Sequence, residues 1–424
     1  MILRMKLDLS FFIWIVLIST LIASSFGNLV VLGYTVKGLA WYFPFIFSTL
    51  ILLRSPHRVS FPWYLWLPWV CIVILYLSFS RYPNALQRSI MMLCPIVIGM
   101  AVSVFPIHEA NLKGFPRLWR NVTIAFYVII ILKTGIHMTG TLPAVTALAA
   151  EVMTAALLAA LFAAYYVYGE GKYLIYWVGL ATIPIIAITR TGIIATGLTL
   201  PLTFAPLKFY KRVSVCIAIV AVGTGLFYTE RFQKRMFYSE EGSITDVRLD
   251  NPDLRTTGRM ALWELMDREI ETKPWFGHGA NAQEDFIVSI VGFSGQPHND
   301  WKRLLFDYGY VGTLIFGLCM AIQMFHAWNR GRITIGETRI LFYAGASSFL
   351  PFALFMLTDN IILYAAFFGN LQFTILGLAY ASLKTSMKDA AMMQGQVLGV
   401  GRNPILWPRR PPVPLMFSRR KAKR

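Results

Sequence analysis

The recurrence of long apolar runs constrains this chain more than any other feature. They lie near residues 9–28, 38–53, 61–79, 86–105, 118–136, 142–167, 173–188, 191–207, 213–228, 302–325, 340–357 and 361–382. A bilayer-crossing helix needs about 20 predominantly apolar residues, within a range of roughly 17–25. Only helices and closed barrels satisfy every backbone polar group in hydrocarbon. The runs therefore predict an all-α, polytopic integral membrane protein with about 12 transmembrane helices. Charged residues make up 14% of the chain, against about 25% in a soluble domain.

The net charge of +18 invites a nucleic-acid reading. The placement of the charges argues against it, so no nucleic-acid partner is expected. With the N-terminus inside, fourteen Lys and Arg fall in inner segments and five at outer ones, and ten more lie in the tail from Lys384. That is the bias of a cytoplasmic membrane face. The segment MILRMK and the apolar run after it resemble a signal sequence; we read them as a retained first span, because removing it would spoil the alternation. Both termini are then cytoplasmic. The four cysteines, Cys71, Cys94, Cys216 and Cys319, all fall in apolar runs and form neither a disulfide framework nor a CxxC metal site.

The expected organisation is spans one to nine over 1–228, a large outer loop over 229–300, spans ten to twelve over 301–382, and a basic tail rich in Pro and Arg over 383–424. The outer loop holds eight bases and thirteen acids, unlike the basic inner loops. Loops of this length are often functional. The tail is expected to lie on anionic membrane lipid.

Three features meet on the outer side. His298 closes the outer loop at the mouth of the tenth span, where it suits a general base, because histidine titrates near neutral pH. Its bland reading is an interfacial side chain bonding a backbone carbonyl. Arg190, in ITRTG between the seventh and eighth spans, is costly in so apolar a stretch unless paired or functional. The loop segment TTGRMALWELMDREIETKP, residues 256–274, predicts a helix capped by Thr256 or Thr257, with Trp263, Met266 and Ile270 on the face of Arg259. A cation in a first helical turn opposes the helix dipole. An anion bound there would reconcile the two. Two arginines and a histidine predict a phosphate-bearing ligand and a proton to remove. The outer loop has no metal-ligand spacing such as HExxH, so neither metal nor cofactor is expected.

His298-Asn299, nine residues, Gly309, two residues, Gly312 resembles the signature of bacterial O-antigen ligases and the related O-antigen and exopolysaccharide polymerases. Thr257-Gly258-Arg259 with Trp263, then KPWFGHG over 273–279, resembles a pattern in that family's outer loop, and TRTG around Arg190 resembles its arginine between two central spans. The echo at Thr358-Asp359-Asn360 is weaker. His278 departs from the pattern, standing where an apolar residue is expected, and is read as a loop residue.

The resemblance implies a glycosyltransferase of the bacterial inner membrane with a periplasmic active site. Its donor would be an undecaprenyl-pyrophosphate-linked oligosaccharide, with Arg190 and Arg259 on the pyrophosphate. His298 would deprotonate an acceptor hydroxyl for direct, inverting, metal-independent attack. Asn299, Arg303 and Asp307 are supporting candidates, with Asp307 spaced to pair with Arg303. Gly309 and Gly312 read first as packing positions. We read a polymerase of O-antigen, capsule or exopolysaccharide repeat units first, working with a chain-length regulator. The alternative is a ligase transferring the finished glycan to lipid A-core or protein. A third reading is a flippase for a lipid-linked glycan.

Overall fold

The computed structural model describes residues 8–27, 29–31, 34–138, 148–203, 208–248, 251, 253–255, 259–292 and 295–397. Thr256, Thr257 and Gly258, and the tail beyond Val397, lie outside them. One compact unit runs to Thr385, and the described remainder, from Ser386, is the end of the last helix.

The first part of the chain gives α1 (Leu9–Phe26), α2 (Val36–Arg54), α3 (Leu67–Phe79), α4 (Ala85–Val102), α5 (Glu109–Leu112) and α6 (Phe115–Met138). Between α1 and α2 a two-residue antiparallel pairing, Val30–Val31 with Tyr34–Thr35, is the one sheet among the described residues. The middle gives α7 (Ala149–Tyr168), α8 (Leu174–Ile186), α9 (Arg190–Thr199) and α10 (Phe209–Phe227). The segment that follows forms α11 (Glu230–Met236), α12 (Arg259–Thr272) and α13 (Ala282–Val291). Finally come α14 (Asp300–Ile333), α15 (Gly336–Ser347), α16 (Phe349–Phe355) and α17 (Gly369–Val397). The protein is an all-α, multi-pass membrane protein. Among the described residues six helical stretches are long and apolar enough to cross a bilayer, and four further apolar helices are shorter.

α7 is the axis of the bundle. Its alanines let neighbours approach on every side, and from Glu151 to Tyr165 it is buried throughout. α1, α8, α9 and α15 pack around it. α10 is the opposite case: Phe209, Val213, Ile217, Val220 and Val222 are all exposed. Apolar side chains exposed over a whole helix require hydrocarbon or a partner to cover them.

Three expected spans differ in detail. The run 191–207 gives only the short α9, because Pro201 removes a backbone donor where the helix would continue. The run 340–357 is split at Ser348 into α15 and α16. The run 361–382 becomes helical only at Gly369. Residues 356–368 before it are turns and one short 3₁₀ helix, Ala365–Phe367, yet Met356, Asn360, Ile361 and Phe368 are fully buried. Irregular backbone enclosed by protein satisfies its polar groups there rather than in lipid, and this stretch carries the site.

Candidate active site

The turn Thr358-Asp359-Asn360 is where distant parts of the chain meet. Arg259, at the start of α12, donates to the Thr358 carbonyl at 3.0 Å. Thr191, in the first turn of α9, shares a hydroxyl hydrogen bond of 2.7 Å with Thr358. His298 brings its Nδ1 to 3.5 Å from Asp359 Oδ1 and 3.3 Å from the Asn360 amide nitrogen. Asp359 is itself aligned, because its Oδ1 accepts from the Asn360 backbone at 2.9 Å. The N-termini of α9, α12 and α14 thus all end around one turn, and helix N-termini favour anions.

Arg190 opens α9 beside this turn. It donates to the Arg255 carbonyl at 3.0 Å, which ties α9 to the segment before α12. Burial, then the guanidinium charges of Arg259 and Arg235, lowers its pKa from the usual arginine value. Arginine stays charged all the same, so a half-buried cation stands here with Arg259 and Arg235 near it. Arg235 was not singled out from the sequence; it reaches the same place from α11, donating to the Ala187 carbonyl at 2.9 Å. Two non-glycine residues beside the site hold left-handed backbone, Ile188 at φ 49° and His298 at φ 50°. For a β-branched isoleucine that conformation is an outlier. Such strain persists only where surrounding structure over-determines it.

That over-determination is visible around His298. The Pro297 carbonyl accepts from Trp263 Nε1 of α12 at 2.7 Å. Asn299 caps α14, its side chain accepting from Lys302 N at 3.0 Å. Asp300 Oδ2 accepts from Ile362 N at 2.7 Å, and the Met356 carbonyl accepts from Asp300 N at 2.8 Å. His298 therefore sits between two anchors, with its side chain 40% exposed.

Further along α14 the glycines explain the spacing of the motif. Gly309 holds φ 64°, which kinks the helix and releases backbone groups from their ladder. The strap 274–279 takes them up. His278 N donates to the Phe306 carbonyl and Gly279 N to that of Asp307, each at 2.9 Å. Tyr310 N donates to Pro274 at 2.8 Å, and Val311 N to Trp275 at 3.1 Å. A Cβ on Gly309 would come within 2.4 Å of the Trp275 backbone, and one on Gly277 within 2.6 Å of Asp307. The close approach admits glycine alone. His278 belongs to this strap, its Nε2 lying 3.0 Å from the Glu269 carbonyl.

The other two supporting candidates lie within the scaffold, away from the turn. Arg303 is fully buried, with Nη1 3.9 Å from Asp300 and Nε 3.7 Å from Asp307. Asp307 accepts from Asn281 N at 3.2 Å and Gln283 N at 2.9 Å, fixing the start of α13. Among the described residues no three His, Cys, Asp or Glu side chains are grouped as ligands for one metal ion.

Comparison with known proteins bears on this arrangement. Residues 119–317 match a family model described as O-antigen ligase. The resemblance read from the sequence is thereby shown. A Pseudomonas aeruginosa protein named O-antigen ligase is 26% identical over 210 residues, 44% of this chain and 48% of that protein. The chain spans about half the length of that relative. The matched segment contains Arg190, Arg259, His298, Gly309 and Gly312, whereas Thr358-Asp359-Asn360 lies beyond it. The turn that gathers the site is therefore visible in the structure and not in the family match.

Proposed function

We propose that this protein is a glycosyltransferase of the bacterial inner membrane that moves a glycan from undecaprenyl pyrophosphate to an acceptor hydroxyl on the periplasmic side. The observation that carries the reading is the convergence of Arg259, His298 and Thr191, the neighbour of Arg190, on Thr358–Asn360. Arg190 and Arg259 hold the pyrophosphate with the N-termini of α9 and α12, and stabilise the charge that builds on it as it leaves. The Asp359 carboxylate only accepts hydrogen bonds, so it favours the His298 tautomer with the proton on Nδ1. Nε2 then takes the proton of the acceptor hydroxyl, whose oxygen attacks the anomeric carbon and inverts it. The step requires no metal, because arginines and helix dipoles supply the positive charge.

The acceptor decides between ligase and polymerase. The sequence alone leans to a polymerase. The family model and the relative are both described as O-antigen ligases, and on those descriptions we favour transfer of a finished glycan to lipid A-core. Purified protein given undecaprenyl-pyrophosphate-linked glycan and lipid A-core, without divalent metal, should yield a single shifted product on a gel. His298→Ala and Arg259→Ala should abolish it. A ladder formed without lipid A-core would return the polymerase reading. Full transfer by His298→Ala would refute the chemistry.

A further inference from the structure

A cavity of about 960 Å³ lies between the ends of α7, α9, α14 and α15 and the start of α10. It is at the other end of α9 from the candidate site: Pro201 and Leu202, just beyond that helix, line it, whereas Arg190 opens the helix at the site. The volume is in the range of small-molecule sites. Among the described residues three cations line it, Arg212, Arg332 and Arg339, and none of the lining residues is acidic.

Helix-end electrostatics account for Arg332, which is in the last turn of α14, where the backbone dipole favours a cation. They do not account for Arg212 and Arg339. Each lies in the first turn of its helix, α10 and α15, where the dipole disfavours one. Two of the three guanidiniums are laid over aromatic rings. Arg332 stands 5.4 Å from the Trp328 ring and Arg339 5.8 Å from that of Tyr168. Arg339 Nε also donates to the Thr334 carbonyl at 2.5 Å. These contacts hold the two guanidiniums beside the cavity, and a planar guanidinium matches a phosphate group bidentately. The surroundings are apolar: Leu202 is 40% exposed, and Ile333 and Ile335, one and three residues after Arg332, are 68% and 74% exposed.

We propose that this cavity binds the phosphodiester headgroup of an anionic phospholipid, with its acyl chains on the exposed apolar side chains around it. The charge pattern along the sequence puts this end at the cytoplasmic face, where anionic headgroups meet basic pockets between helices. The site is separate from the transfer chemistry and does not depend on it.

The test uses full-length protein, stripped of lipid in detergent and titrated with dioleoyl-phosphatidylglycerol, dioleoyl-phosphatidylcholine or glycerol 3-phosphate, with bound lipid read by native mass spectrometry. One phosphatidylglycerol should bind at least tenfold more tightly than phosphatidylcholine. Arg332→Gln and Arg212→Gln should each weaken it about fivefold, whereas Arg332→Lys, which keeps the charge but loses the planar fork, should weaken it by less than Arg332→Gln does. Arg120→Gln, an exposed cation outside the cavity, should change nothing. Equal binding of the two lipids overturns the proposal, and that comparison needs no variant to fold. An equal loss in Arg120→Gln also overturns it, since binding would then be a general surface effect. Displacement of the lipid by equimolar glycerol 3-phosphate would mean that the site takes a free anion.

Discussion

Gly309→Ala should destabilise the protein while leaving the catalytic side chains in place. Gly309 holds φ 64°, and an added Cβ would lie 2.4 Å from the Trp275 carbonyl group. The left-handed conformation costs a residue with a Cβ about 1–2 kcal/mol. The contact is with backbone, so the strap 274–279 must move as a piece. Four backbone hydrogen bonds tie it to α14, each contributing about 0.5–1.5 kcal/mol net. Losing two of them brings the total to about 2–5 kcal/mol. The control is Gly317→Ala in the same helix, where a Cβ meets nothing within 4 Å; there alanine should be neutral or stabilise by up to about 1 kcal/mol. Thermal unfolding in detergent compares the two, and hydrogen exchange at the His278 and Gly279 amides reports on the strap. Equal stability, with both amides as protected as in wild type, would refute the strap as the reason for glycine.

His298→Ala should lower transfer by about 10²–10⁴-fold with unfolding unchanged; a fall of less than tenfold with native donor and acceptor would remove His298 as the base. Asp359→Asn should slow transfer about tenfold once the 3.5 Å contact is discounted for solvent screening, and should have no further effect in the His298→Ala background, where an additive loss would give Asp359 a role of its own. Arg303→Leu leaves two buried carboxylates without their cation and should cost about 3–5 kcal/mol of stability; a variant that unfolds like wild type yet fails to transfer would move Arg303 from scaffold to substrate. Arg259→Lys keeps the charge but loses the planar fork, so donor binding should weaken while unfolding stays unchanged; wild-type donor binding would mean that the fork makes no contact with the pyrophosphate.

The all-α membrane architecture was legible because apolar length and charge asymmetry are local signals. Arg190, Arg259 and His298 were legible for a related reason: each breaks a local rule, a cation at a helix start or a polar group beside an apolar run. Their meeting point was not. Asp359 and Asn360 are about sixty residues from His298 in sequence, and no periodicity links them. The Arg303–Asp307 spacing was readable, but its complete burial was not, because burial depends on the strap and α13 folding over it. Span lengths failed where the backbone is enclosed by protein, since an apolar run such as 361–368 reads the same whether it is helix or buried turn.

α7 also sets a constraint in time. It is synthesised in the middle of the chain, yet its neighbours include α15, and Thr154 on it donates to the Phe367 carbonyl at 2.9 Å. At about 5–20 residues per second, α15 and the Phe367 segment, the last of its neighbours, emerge roughly ten to forty seconds later. During that interval α7 must stay in the bilayer with lipid where protein will be. Its alanine-rich surface suits both environments, so the narrow side chains that permit tight assembly also make the wait tolerable. A chain truncated before Gly336 would never end it, and should be recognised by membrane quality control as an unassembled bundle rather than as a shorter enzyme.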